Sequence, residues 1–202
     1  LNLDVQSIQR LDADGDKNLE WAIFYRFDLP PAESNQRQFA PIAGLIYDVT
    51  ACRPPSILPY PLDPGDRNYL GTDKVQTEAK DFLTGDNKQP ELIVSSVANG
   101  LVTALSIFRW FDDTQNPCTP RYPGQQGYRL LGTFRGDAGV TLGEGEQVIV
   151  KNLAGFNRSQ IAFQEVYVPT TRDGLKSFMQ EDGRSLVAPA QRRIDFAFAP
   201  PA

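Results

Sequence analysis

Short runs of alternating apolar and polar residues, each cut off by a glycine, proline or Asx turn, recur along this 202-residue chain. That pattern constrains the fold most, because a period of two belongs to strands and not to helices. In "LEWAIFYRFD", Trp21, Ile23, Tyr25 and Phe27 fall on one face, and Ala22, Phe24, Arg26 and Asp28 on the other. Both faces begin apolar, which predicts a strand covered on both sides in its first half. "FAPIAGLIYDV" predicts a second strand, with Pro41 near its start, where a missing N–H is tolerated. The segments "ELIVSSV", "LVTALSIFRWF", "YRLLGTFRG", "EQVIVKNL", "RSQIAFQEVYV" and "RRIDFAFA" predict further strands. The turns "ANG", "GDAG", "GEGE" and "AGFN" separate several of them. Prolines in "ACRPPSILPYPLDPGDRNYLG" make that stretch a linker without a long helix. Two short helices are predicted: "TDKVQTEAKDFL", capped by Thr72 or Asp73, and "TRDGLKSFMQEDG", stopped by Gly183. The expected architecture is one all-β domain over 1–202, built of antiparallel hairpins with few short helices. Its arrangement is either partly propeller-like or a sandwich. The ending "APPA" predicts the beginning of a linker.

Composition excludes several chemistries. There is no histidine, so Ser-His-Asp and Cys-His catalysis and His-ligated zinc are out. No nucleophile motif or cofactor fingerprint stands out, so no catalytic and no cofactor-binding residue is assigned. Cys52 and Cys118 lack CxxC spacing, which excludes a cysteine-rich zinc site. Each lies in a proline-bearing loop after a predicted strand, and their even number suits one disulfide in an oxidising compartment. Two free buried thiols are the alternative. The net charge of −5 argues against a nucleic-acid partner. No apolar run is long enough to span a bilayer, and residues 1–20 are not a signal peptide. The start at Leu1 fits a processed form. "NRS" at 157–159 matches a glycosylation sequon, a pattern too short to carry weight.

One layout occurs twice. "DADGDKNLEWAIFYRFD" and "FLTGDNKQPELIVSSV" each place a Gly-Asp turn and a glutamate, Glu20 or Glu91, before a strand, and a second strand follows. The alternative is that any two hairpins look alike. A third unit around "GEGEQVIVKN" is less clear. The first turn crowds Asp12, Asp14, Asp16 and Glu20 around Asn18. Like charges this close repel unless a cation neutralises them, and oxygen-only ligands suit Ca²⁺. A solvated turn, in which the aspartates serve turn geometry alone, is the other reading. It is not an EF-hand, because Ile23 stands where a bidentate glutamate is required.

"DADGDKNLEW" followed by a strand resembles the calcium loop of FG-GAP/VCBS-type repeats. These are the units of integrin α-chain β-propellers and of many bacterial surface proteins. The resemblance implies side-chain ligation by Asp12, Asp14, Asp16 and Glu20, and a backbone carbonyl from Asn18. Lys17 departs from the family at a position that is often glycine. The second unit resembles the strand portion but lacks the first acids, so no calcium is expected there. The likeness covers about residues 8–50 and 80–111. It implies a non-enzymatic, calcium-stabilised binding or scaffold protein at the periplasmic or cell surface, such as an envelope lipoprotein that is lipid-anchored before processing. Its partners would be other proteins, including a membrane-associated assembly. The competing class is a carbohydrate-active hydrolase using two carboxylates. "FRWFDD" offers Arg109, Trp110 and Phe111 either as an exposed sugar or partner platform or as core residues.

Overall fold

The structure, a computed structural model, describes residues 3–27, 42–48, 55–59, 74–84, 89–98, 100–112, 126–156, 159–172, 175–178 and 191–198. These are all-β, in three four-stranded antiparallel sheets and one two-stranded ribbon. The first sheet is a meander of β1 (Leu3–Leu11), β2 (Glu20–Phe27), β3 (Ile42–Tyr47) and β4 (Ser56–Ile57). The second repeats it with β5 (Lys74–Lys80), β6 (Glu91–Ala98), β7 (Leu101–Asp112) and β8 (Gln126–Arg135). The third runs β9 (Val140–Leu142), β10 (Val148–Phe156) and β11 (Ser159–Val168). A ribbon of β12 (Thr170–Arg172) and β13 (Leu175–Ser177) follows, and β14 (Gln191–Phe198) then joins the third sheet beside β11. Among the described residues the sheets are not closed, and no propeller is identified.

Both predicted helices are corrected. Lys74–Lys80 is an edge strand that pairs with β6 along its whole length. Its Lys, Glu, Gln and Ala content suits a helix, but the ladder and the burial of Val75 outweigh that propensity. In the second segment the described residues form the β12–β13 ribbon, whose end drives Phe178 edge-on against Phe134 at 5.1 Å. Residues 179–183 lie outside the described residues.

The second sheet is the middle layer. Leu92 and Val94 of β6, with Phe108 and Trp110 of β7, pack against Ala22, Phe24, Ile42 and Ile46 of the first sheet. Ile93, Leu105 and Ile107 face the opposite way, toward Val140, Val148, Val150 and Tyr167 of the third. A strand covered on both faces needs apolar residues on both, which explains the adjacent apolar residues Leu92, Ile93 and Val94 in β6 and Ile107 and Phe108 in β7. Corresponding strands meet across the first interface: β1 lies along β5, and β4 along β8. Gln9 fastens β1 to β5 by accepting from the Thr77 N–H at 3.1 Å and donating to the Val75 carbonyl at 3.3 Å.

Candidate metal centre

Leu11 ends β1 and pairs with Glu20 at the start of β2, so residues 12–19 must reverse the chain. Gly15 and Lys17 do this with left-handed backbone, at φ +83° and +74°. A Cβ on Gly15 would come 2.6 Å from the Pro90 Cδ, so only glycine lets this turn settle against the second sheet. Lys17 adopts the conformation that glycine favours, at the position where the FG-GAP pattern often has one. The turn gathers its amides onto its own carboxylates. Gly15 and Lys17 donate to Asp12 at 2.8 and 3.1 Å, Asp16 to Asp14 at 3.1 Å, and Asn18 to Asp16 at 2.8 Å. The Ala13 N–H reaches Glu20 Oε2 at 2.6 Å.

Of the expected ligands, Asp12, Asp14 and Glu20 converge, with one oxygen of each within 4.8 Å of the others. Asp16 and Asn18 sit on the solvent side. Asp14 is 7% and Glu20 2% exposed, and Glu20 Oε1 is buried without a hydrogen-bond partner. Burial pushes the Glu20 carboxyl up to about 7. The Ala13 N–H opposes that shift, while Asp14, Asp16 and Asp48 add to it. Asp14, Glu20, Asp48 and Ser56 line a small cavity of about 10 Å³ that Trp110 and Tyr128 of the second sheet close. The two rings meet edge-on at 5.2 Å. Such a space takes one water or one ion. Hard oxygen donors around it suit Ca²⁺ or another hard cation, and a proton on Glu20 is the other way to relieve the repulsion.

Glu91 shows the same carboxylate satisfied internally. Its Oε2 accepts from the Phe82 and Leu83 N–H groups at 2.8 and 2.9 Å. Its Oε1 accepts from Arg109 Nε at 2.8 Å and also from Nη2. Between the second and third sheets, Glu146 accepts from Thr84 N–H at 2.6 Å and pairs with Lys176. Burial there raises the Glu146 carboxyl, but the Lys176 and Thr84 hydrogen bonds outweigh it and hold it below its ordinary value.

Asp48, Trp110 and Tyr128 reach the cavity from other strands, so no local motif announced them. Asp48 ends a strand pattern that reads as ordinary β-sheet, and only the β2–β3 register brings it to Glu20. The "FRWFDD" segment supplies core and structure rather than an exposed platform. Trp110 is a core residue, Arg109 is buried against Glu91, and half-buried Phe111 lies 3.4 Å from the Arg129 guanidinium. Cys52 and Cys118, with the expected disulfide, lie outside the described residues. Comparison with protein-family models, with curated proteins and with solved structures finds no match.

Proposed function

We propose that this chain is a non-enzymatic β-sheet module, stabilised by calcium, that binds or scaffolds other proteins. The calcium part is carried by the buried Glu20 carboxylate, whose Oε1 lacks a hydrogen bond beside Asp12 and Asp14. An ionised carboxylate removed from water costs several kcal/mol unless it is neutralised. Asp12, Asp14 and Glu20 would hold the ion, with Asp16 and the Asn18 carbonyl available from the same turn. The ion would supply positive charge and tie the turn down, and its role would be structural. The FG-GAP resemblance supports the same reading. The binding role, the periplasmic or cell-surface location and the membrane-associated assembly rest on that resemblance and on the Cys52 and Cys118 pair. At this site a cavity sized for one ion suits a cation and leaves no room for a sugar ring. Calorimetric titration of the chelated protein with calcium tests the reading. One ion per chain is expected, with the heat lost in Asp14→Asn and in Glu20→Gln. Heats no larger than dilution in the wild type would refute it.

A further inference from the structure

The first two sheets carry the same glutamate at the same place and surround it differently. Glu20 pairs with Leu11 of β1, and Glu91 with Lys80 of β5. Each accepts an N–H from two residues beyond that partner, Ala13 in one sheet and Phe82 in the other. On its other side Glu91 pairs with Arg109 of β7, whose guanidinium grips Oε1. In the first sheet the ladder to β3 runs as far as Trp21 and Tyr47. The next position, opposite Glu20, is therefore Asp48. The residue after each N–H donor differs as well: Leu83 in the second sheet, Asp14 in the first. Where the second sheet puts a guanidinium and an alkyl group, the first puts two carboxylates. Asp48 is 8% exposed and lines the cavity with Asp14 and Glu20.

We propose that Asp48 is a fourth carboxylate ligand, with Asp12, Asp14 and Glu20, for a hard divalent cation seated between the first two sheets. The ion takes the place that the Arg109 guanidinium holds in the second sheet. This rests on the calcium reading above and deepens it by naming a ligand outside the acidic turn. Buried Glu20 Oε1, which has no hydrogen-bond partner, is the oxygen that such an ion satisfies. Because Asp48 directly follows β3 while Trp110 and Tyr128 close the cavity, the ion fastens β2 to β3 and lies under the second sheet. A site confined to the turn would leave β3 unfastened.

Calcium titration of wild type, Asp48→Asn and Asp48→Arg, each first chelated, separates the possibilities. The neutral variant should bind calcium about 10- to 100-fold more weakly, the usual loss when a ligand or its support is removed. The arginine variant should resemble the second sheet. Its melting temperature without calcium should rise above that of Asp48→Asn, and most of the calcium-induced shift should disappear. Wild-type binding with Asp48→Asn within twofold would overturn the assignment of Asp48 and leave the turn site standing. No binding by wild type would overturn both. Should either variant fail to fold, terbium luminescence sensitised by tryptophan tests the ion's place in the cavity without touching Asp48. Trp110→Phe should lose most of the emission, and Trp21→Phe should keep it. The reverse pattern would place the ion away from the cavity and overturn the proposal.

Discussion

At the scale of single residues, the acidic turn combines one strained backbone position with one strained charge. Lys17 sits at φ +74°, where an L side chain costs about 1–2 kcal/mol. Lys17→Gly removes that strain and gives back part of it as unfolded-state entropy. A net stabilisation of up to about 1 kcal/mol is expected in urea unfolding. A loss of stability would show that the Lys17 side chain makes a favourable contact. Glu20 supplies the pH dependence. Its carboxyl is raised from 4.5 to about 7, so the fold of the chelated protein binds this proton more tightly than the unfolded chain does. The stabilisation is complete below 4.5 and is lost as the pH rises through about 7. The loss is on the order of 3 kcal/mol, because each tenfold gain in proton affinity is worth about 1.4 kcal/mol. Melting temperature of the chelated protein should fall across that window, and Glu20→Gln should flatten the fall. A chelated wild type with the same pH profile as Glu20→Gln would contradict this origin. With calcium saturating, the fall should also disappear, because deprotonation then favours the ion.

At the scale of elements, the Glu91–Arg109 pair ties three consecutive strands of the middle sheet. The carboxylate reaches back to the turn after β5 and across to β7. Arg109→Met would leave a fully buried carboxylate without its counter-charge. The cost should be about 3–5 kcal/mol in urea unfolding, with partial recovery in the Glu91→Gln, Arg109→Met double variant. A change below about 1 kcal/mol, the range of exposed pairs, would mean that water reaches the site. The inner strands were legible in sequence. β2, β3, β6, β7, β10 and β11 carry apolar residues that period two picks out. Of the outer strands, β8 and β14 were legible as well, and β1, β4, β5 and β9 were not. β1 exposes Val5 and Ile8, β5 buries Val75 among polar neighbours, and β4 and β9 are very short. An edge strand with one partner and little burial leaves weak periodicity, and in β5 helix propensity points the other way. The acidic turn was legible because its ligands are local. Asp48 was not, because β2–β3 pairing brings it there.

At the scale of the whole molecule, three sheets stack so that each interface holds its own core and its own carboxylate device. Glu20 occupies the first interface with Trp110 and Tyr128 above it. At the second, Glu146 links Thr84 to Lys176. The first device, as proposed, needs an ion from solution, so the packing of the first sheet on the second becomes dependent on calcium. The repeat seen in the sequence as two hairpins is, in three dimensions, a repeated four-stranded meander with a glutamate at the start of its second strand. The most direct measurement is the melting temperature of the intact chain at neutral pH, in chelator and then in calcium at about 100 times its dissociation constant. Linkage gives about 2.7 kcal/mol at that excess. For a chain of this size that predicts a rise of roughly 5–10 °C, which grows further with the logarithm of the calcium concentration. Melting temperatures equal to within about a degree would contradict calcium as the counter-charge for Glu20.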